Sequence, residues 1–166
     1  VNAADLRVVR RDKDALSTDL EVFDRSLTVG LRGHLLCTRA AIPLMQKRGR
    51  GAILYTSSAA SKTAAPMLVS YYVLKAGLNG LMRHVATRWG PEGIRANAIC
   101  PGMVLTETVM RNMSEESRQA GLAHTPSPRL GKVEDIAALV AFLLSDEAEW
   151  INGQAVSIDG GSVMGI

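Results

Sequence analysis

Gly51-Ala52-Ile53-Leu54-Tyr55-Thr56-Ser57-Ser58 is a short, uncharged and mostly apolar run. It reads as a strand buried on both faces of a parallel sheet. A loop of small residues follows, Ala59 to Pro66. A helical pattern then runs from about Ser70 to Trp89, with Leu74, Leu78, Leu81, Met82 and Val85 on its apolar side, and Gly90-Pro91 stops it. The next apolar run, Ile94-Arg95-Ala96-Asn97-Ala98-Ile99-Cys100, is closed by Pro101-Gly102 and reads as a second strand. Strand, helix and strand in this order make a βαβ unit, whose strands lie parallel.

The same alternation continues outward. Upstream, a helical pattern spans about Leu20 to Lys47, with Phe23, Leu27, Leu31, Leu35, Ala40 and Leu44 recurring near helical spacing, and it ends in the breaker cluster Arg48-Gly49-Arg50-Gly51. Residues 5–19 are polar without a clear period, and residues 1–4 read as the tail of a strand. Downstream, residues 103–128 are loop-like and rich in Met, Ser, Glu and Arg. Glu134 to Leu144 is a third helix, striped by Ile136, Leu139, Val140 and Leu143. Gln154-Ala155-Val156-Ser157-Ile158 is a last strand, ended by Asp159-Gly160-Gly161. The fold class is α/β, a doubly wound parallel sheet, in one domain over residues 1–166 with no internal repeat or linker. Three strands make a poor free-standing sheet of this kind, and the strand at 51–58 needs another beside it. The chain reads as beginning at the end of a fourth strand.

Composition narrows the function. Of 166 residues, 47% are hydrophobic and 21% charged, a globular balance. The net charge of +3 is mild, and in the densest basic stretch, Arg10-Arg11-Asp12-Lys13-Asp14, acids dilute the bases. Neither a nucleic acid nor a membrane surface is an expected partner. No apolar stretch reaches the ~18 residues of a membrane span. Val1-Asn2-Ala3-Ala4-Asp5 lacks the basic start and apolar middle of a signal peptide. Cys37 and Cys100 stand in no metal or redox spacing, and His34, His84 and His124 in no ligand pattern. We therefore expect no metal and a reduced, cytoplasmic protein, with Cys100 a packed thiol.

The chemistry concentrates in Ser58, Tyr71 and Lys75. Tyr71 and Lys75 are spaced i, i+4 within Ser70-Tyr71-Tyr72-Val73-Leu74-Lys75, which places both side chains on one face of the helix. An ammonium beside a phenol favours the phenolate, and a Tyr so activated exchanges a proton with a carbonyl or alcohol oxygen. Ser58, at the end of the strand, offers a hydroxyl to the same oxygen. Taken alone, a Tyr-x-x-x-Lys spacing more often marks a partly buried Tyr beside a solvated Lys. The rest of the chain favours chemistry.

In these ordered motifs, from residue 1 to 161, the sequence resembles the short-chain dehydrogenase/reductase family. The resemblance implies a Rossmann-like sheet, of which this chain supplies the C-terminal two thirds. No G-x-G-x-x-G pattern occurs here, so the glycine-rich loop and the residues choosing NAD or NADP belong to a part that is absent. By resemblance Tyr71 is the general acid/base, Ser58 orients the substrate oxygen, and Lys75 bonds the nicotinamide ribose. Ser57 and Tyr72 fit the register less well and rank as structural. Pro101-Gly102-Met103-Val104-Leu105-Thr106 is similar to the family's P-G-x-V-x-T element. There Gly102 permits close backbone approach, and Val104 backbone and Thr106 bond the carboxamide. The competing reading is a plain Pro-Gly turn with a helix-capping Thr.

Asn2-Ala3-Ala4-Asp5 resembles the family's N-N-A-G, with Ala3 in place of the second Asn and Asp5 in place of Gly, and carries Asn2 as a cofactor-binding candidate. Asn97, Arg129-Leu130-Gly131 and Ile151-Asn152-Gly153-Gln154 match structural features of the family. Residues 105–128 match its substrate lid, where His124 and Met110 are candidates for substrate contact. One departure bears on activity: Gly30 stands where a catalytic Asn holds a helix bulge and a water. The resemblance implies an NAD(P)-dependent oxidoreductase acting on a small-molecule alcohol or ketone. It also implies a homodimer or homotetramer built through the helices at 20–47 and 70–89. The alternative is a non-catalytic binding or scaffold subunit, which Gly30 favours.

Overall fold

The computed structural model describes residues 6–164. A short helix, α1 (Leu6–Val9), leads to a long helical rod of three segments: α2 (Leu20–Leu27), a π-helical turn (Thr28–Arg32) and α3 (Gly33–Arg48). Strand β1 (Gly51–Thr56) follows, then a 3₁₀ turn (Ala59–Lys62), α4 (Val69–Trp89) and β2 (Ile94–Pro101). Two short helices, α5 (Glu107–Asn112) and α6 (Glu115–Ala123), precede α7 (Val133–Leu144) and β3 (Ala155–Ile158). The three strands form one parallel sheet in the order β1-β2-β3.

Strand alternation divides the core between the two faces of the sheet. Ile53 and Tyr55 of β1 and Ile94, Ala96 and Ala98 of β2 pack with Ile42 of α3 and Met82, Val85 and Ala86 of α4. Leu54 and Ile99 face the other way, onto Leu143, with Ile136, Leu139 and Val140 of α7 around them. The small residues Ala96 and Ala98 are fully buried, which lets α4 lie close over β2.

Side-chain amides hold the last strand in register. Asn97, 2% exposed, donates from Nδ2 to the Ile151 carbonyl (2.7 Å) and accepts the Gln154 N–H (2.9 Å). Asn152 accepts the Ala96 N–H (2.9 Å) and donates to the Ala86 carbonyl (3.3 Å). Asn97 thus satisfies two backbone groups of the connection to β3, and Asn152 ties that connection to β2 and to the last turn of α4. Arg95 caps the carboxyl end of α7 through the Leu143 and Ser145 carbonyls (3.0 and 2.9 Å). Arg129 grips Asp135 with two bonds (2.6 and 2.9 Å), and this pair holds Asp135 well below the usual carboxylate range at the start of α7.

Several expectations need correction. The 20–47 helix is interrupted by the π-turn, because Gly30 and its neighbours admit an extra residue into the turn. Strand β1 ends at Thr56, so Ser57 and Ser58 already belong to the loop. Residues 103–128 are not plain loop: Thr106 and Ser114 each cap a short helix there, accepting from Val109 N and Ser117 N. Leu6–Val9 is helical within a stretch read as aperiodic. The strand expected at residues 1–4 lies outside the described residues. Among the described residues no strand pairs the outer edge of β1, where a groove of about 280 Å³ runs between Thr38, Met45, Leu54 and Val140. No helix there is long and apolar enough to cross a membrane.

Candidate active site

The predicted residues come from three neighbouring elements at the carboxyl ends of β1 and β2, where ligands of open α/β sheets bind. Ser58 follows β1 and caps the 3₁₀ turn, its Oγ accepting the Ala60 N–H (3.2 Å). Tyr71 is half-buried in the first turn of α4, and Lys75 lies one turn on. Pro101 ends β2, and Gly102, Val104 and Thr106 follow it. Asn2 lies outside the described residues.

Lys75 is the best-defined member. It is 5% exposed, its Nζ donates to the Thr56 carbonyl (2.9 Å), and it stands 5.5 Å from the Tyr71 ring centroid. The strand end answers with its own bond: Ser57 Oγ donates to the Lys75 carbonyl (3.1 Å). Burial pulls the Lys75 ammonium down to about 8, with the Cys100 thiol opposing weakly. Ser61 ties the loop to the second strand, donating to the Ser58 carbonyl (2.7 Å), meeting Cys100 Sγ at 3.6 Å and accepting from Asn79 Nδ2 (2.9 Å). Cys100 is a fully buried thiol, as its place in the strand implies.

At the second element the close approach involves this chain itself. A Cβ on Gly102 would stand 2.8 Å from Asp159 Cα, so the glycine lets the end of β2 pass the end of β3. Val104 pairs with Gly131, through Leu105 N to the Gly131 carbonyl (2.8 Å) and Gly131 N to the Met103 carbonyl (3.0 Å). The Val104 carbonyl takes the Thr106 N–H (2.9 Å), and Thr106 Oγ1 accepts from Val109 N (3.2 Å). Thr106 is therefore a helix cap, with its hydroxyl proton left to donate. Among the described residues no cluster of His, Cys, Asp and Glu could hold a metal.

Gly30 occupies the π-turn, fully within the packing against α4. A Cβ there would lie 2.6 Å from Leu74 Cδ1 and nearer still to Cδ2; in return, Leu31 packs at 3.1 Å from where a Gly77 Cβ would be. Two Leu-on-Gly contacts thus bring the π-turn and α4 together. The bulge persists without an Asn side chain. His34, which stands in no ligand pattern along the chain, is fully buried and meets the Gly30 carbonyl through Nδ1. Thr38 Oγ1 donates to the His34 carbonyl (2.8 Å) and bonds the Tyr55 hydroxyl (2.7 Å), continuing this polar line to β1. No sequence spacing pointed to Leu74 or His34 in this role; a Gly inside a helical pattern was the one available signal.

A family model described as "Enoyl-(Acyl carrier protein) reductase" matches residues 2–163. "Probable short-chain type dehydrogenase/reductase blr2146" of Bradyrhizobium diazoefficiens is 43% identical over 160 residues, 96% of this chain and 57% of that protein. A 7alpha-hydroxysteroid dehydrogenase of Bacteroides fragilis is 36% identical over 152 residues, 92% of this chain and 59% of that protein. Among solved structures, a short-chain type dehydrogenase/reductase from Mycobacterium ulcerans has a TM-score of 0.89 at 30% identity, over 96% of this chain and 57% of its own. ElxO with NADP bound has a TM-score of 0.89 at 28% identity, over 97% and 64%. The chain belongs to the short-chain dehydrogenase/reductase family, with that family's Rossmann-like α/β fold. It spans 57% of the length of the first of these curated relatives.

Two outcomes test the geometry. The depressed Lys75 pKa means that charging this ammonium in the folded state costs stability. That cost is full below about pH 8 and fades as pH rises toward the ordinary lysine value near 10.5. The stability of wild type relative to Lys75→Met is therefore expected to rise between pH 7.5 and 10.5, by urea unfolding; a difference independent of pH would refute the shift.

Gly30→Ala gains up to about 1 kcal/mol of helix propensity but overpacks against Leu74 at about 1–3 kcal/mol. It is expected to destabilise wild type and to stabilise a Leu74→Ala background. The same sign in both backgrounds would show that Leu74 does not set the constraint.

Proposed function

We propose that this chain carries the catalytic part of an NAD(P)-dependent oxidoreductase that interconverts a small-molecule alcohol and its carbonyl. The observation that carries the reading is the Tyr71–Lys75 pair on one face of α4, with Lys75 Nζ pinned on Thr56 and Ser58 two residues further along the chain. Tyr71 exchanges the proton with the substrate oxygen, and Ser58 Oγ–H holds that oxygen in place. Lys75 keeps positive charge beside the phenol.

The residues fit a nicotinamide cofactor, NAD or NADP. The Lys75 ammonium has three N–H groups, one of which Thr56 takes, leaving donors for ribose hydroxyls. Thr106 retains a hydroxyl proton, and Tyr71 a phenol. Pro101, Gly102 and Val104 shape the backbone against which the ring would lie, and Asn2 is assigned to the same site. When bound, the nicotinamide supplies or accepts the hydride; the protein supplies position and electrostatics. The NADP held by ElxO and the steroid alcohol named for the Bacteroides fragilis relative support a cofactor and substrate of these classes. The free thiols Cys37 and Cys100 suit the reducing cytoplasm.

Gly30 favours a second reading, a non-catalytic binding or scaffold subunit, since it cannot offer the side chain of the family's Asn. The π-turn and its carbonyls remain, which is why we prefer the enzyme.

We further assign the long α3/α4 face to a homodimer or homotetramer. It exposes Leu35, Leu36, Leu44 and Val73, and a groove of about 290 Å³ between Leu35, Ile42, Leu81 and Trp89.

Replacing Tyr71 by Phe separates the enzyme from the scaffold. Oxidation of NADH or NADPH with ethyl acetoacetate or cyclohexanone is expected to fall by about 10²–10⁴-fold while the thermal midpoint holds. Unchanged turnover would remove Tyr71 from the mechanism. Light scattering is expected to give the mass of two or four chains at micromolar concentration; a monomer would overturn the assembly.

A further inference from the structure

Helix α4 begins with Tyr71 in its first turn, yet nothing adjacent in the chain caps it. Its N-cap position is Leu68, whose side chain has no acceptor and whose φ of 69° is uncommon for a residue other than glycine. The first N–H groups of a helix need partners from elsewhere. Here they come from the loop before α2. Lys13 accepts the Val69 N–H at its carbonyl (3.0 Å). Asp12 takes the next two: Oδ1 accepts from Ser70 N (3.2 Å) and Ser70 Oγ (2.9 Å), and Oδ2 accepts from Tyr71 N (2.9 Å). Tyr72 N then reaches the Leu68 carbonyl (3.1 Å), and the helix's own ladder has begun. Every orphan donor of the first turn is accounted for, and two of them depend on one carboxylate 58 residues upstream.

The anchor is itself supported. Asp12 is 5% exposed. Thr18 Oγ1 donates to Asp12 Oδ1 (3.3 Å) and accepts the Lys13 N–H (2.8 Å), closing the loop around the carboxylate. Asp14 accepts the Leu16 and Ser17 N–H groups (2.9 and 2.8 Å), tightening the next turn. Only a carboxylate presents two acceptor oxygens to adjacent N–H groups, and the amino end of a helix favours its charge.

We propose that Asp12 is a positioning residue for Tyr71: by holding the Ser70 and Tyr71 amides it fixes where the phenol stands over the carboxyl ends of the strands. This rests on the reading of Tyr71 as the proton-transferring group. Asp12 touches neither substrate nor cofactor in that reading, so its removal should act on the chemical step and spare binding. Misplacing a reacting group by about 1 Å costs up to ~10²-fold in rate.

The test is made in the full-length protein with Asp12→Ala and Asp12→Asn. Asn keeps one acceptor oxygen and the side-chain shape, and so guards against a variant that fails to fold. Hydrogen exchange followed by mass spectrometry reads the segment 68–72, with 94–101 as an internal reference. Steady-state kinetics read kcat and KM with NADH or NADPH and ethyl acetoacetate.

In Asp12→Ala, protection at 69–71 should be lost while 94–101 stays protected. kcat should drop about 10- to 100-fold with KM within about threefold, and Asp12→Asn should recover part of kcat. Unchanged protection overturns the anchor. Lost protection with unchanged kcat, or equal losses in kcat and stability-corrected KM, overturns the positioning role and leaves a structural one. A wild-type protein that oxidises no NAD(P)H with any ketone overturns the oxidoreductase reading and the catalytic half of this assignment; exchange at 69–71 still upholds or overturns the anchor.

Discussion

A buried ammonium with a single carbonyl anchor decides how the parts of this molecule stand to one another. Lys75 is drawn from α4 to the Thr56 carbonyl, and Ser57 Oγ reaches back to the Lys75 carbonyl. The two bonds cross the gap between β1 and α4 in opposite directions, so the helix can neither slide nor rotate against the strand end without breaking one of them. Burying a cation is costly unless it is bonded. The cost here is visible in the lowered pKa of Lys75. A chain that buries a lysine for packing alone would do better with Leu or Met, so the arrangement fits a site that needs charge at that point.

The sheet receives this constraint and passes it on. Tyr55, whose hydroxyl proton is held harder by burial, bonds Thr38 below the lysine's strand end. Small residues at 96 and 98 of β2 let α4 lie close. On the far side Asn97 and Asn152 tie β2 to the turn before β3, and Gly102 lets the ends of β2 and β3 pass. The carboxyl ends of the strands are thereby gathered by one buried cation on the β1 side and by the Gly102 passage on the β3 side, while the two amides fix the amino end of β3. Loops anchored in this way can carry functional groups without the strands being long.

How much of this the sequence carried follows from the physics of each feature. The strands and the long helices were legible because apolar period and glycine or proline stops are local signals. The Ser58, Tyr71, Lys75 set was legible because its spacing is fixed along the chain, and a family resemblance rests on the same spacing. The helices at 107–112 and 115–123 were missed: they carry little apolar period and depend on single capping hydroxyls of Thr106 and Ser114. Asp12 was read as an acid diluting a basic stretch, since its partners lie 58 residues away and no local pattern encodes them. Leu74 and Gly30 were each visible, but their contact exists only once α4 crosses the π-turn.

That last pair bears on what Gly30 means. A glycine at the position of a functional Asn reads, along the chain, as a loss. In space the vacated volume is filled by Leu74, and the reciprocal Leu31–Gly77 contact closes the helices further. The π-turn is held by packing and by the buried His34 ring on the Gly30 carbonyl. A π-turn inside a helix is rare, and here its support is apolar contact and a neighbouring imidazole. Residue 30 therefore cannot be judged apart from residue 74: the two form one packing solution, one residue along α4 from Lys75.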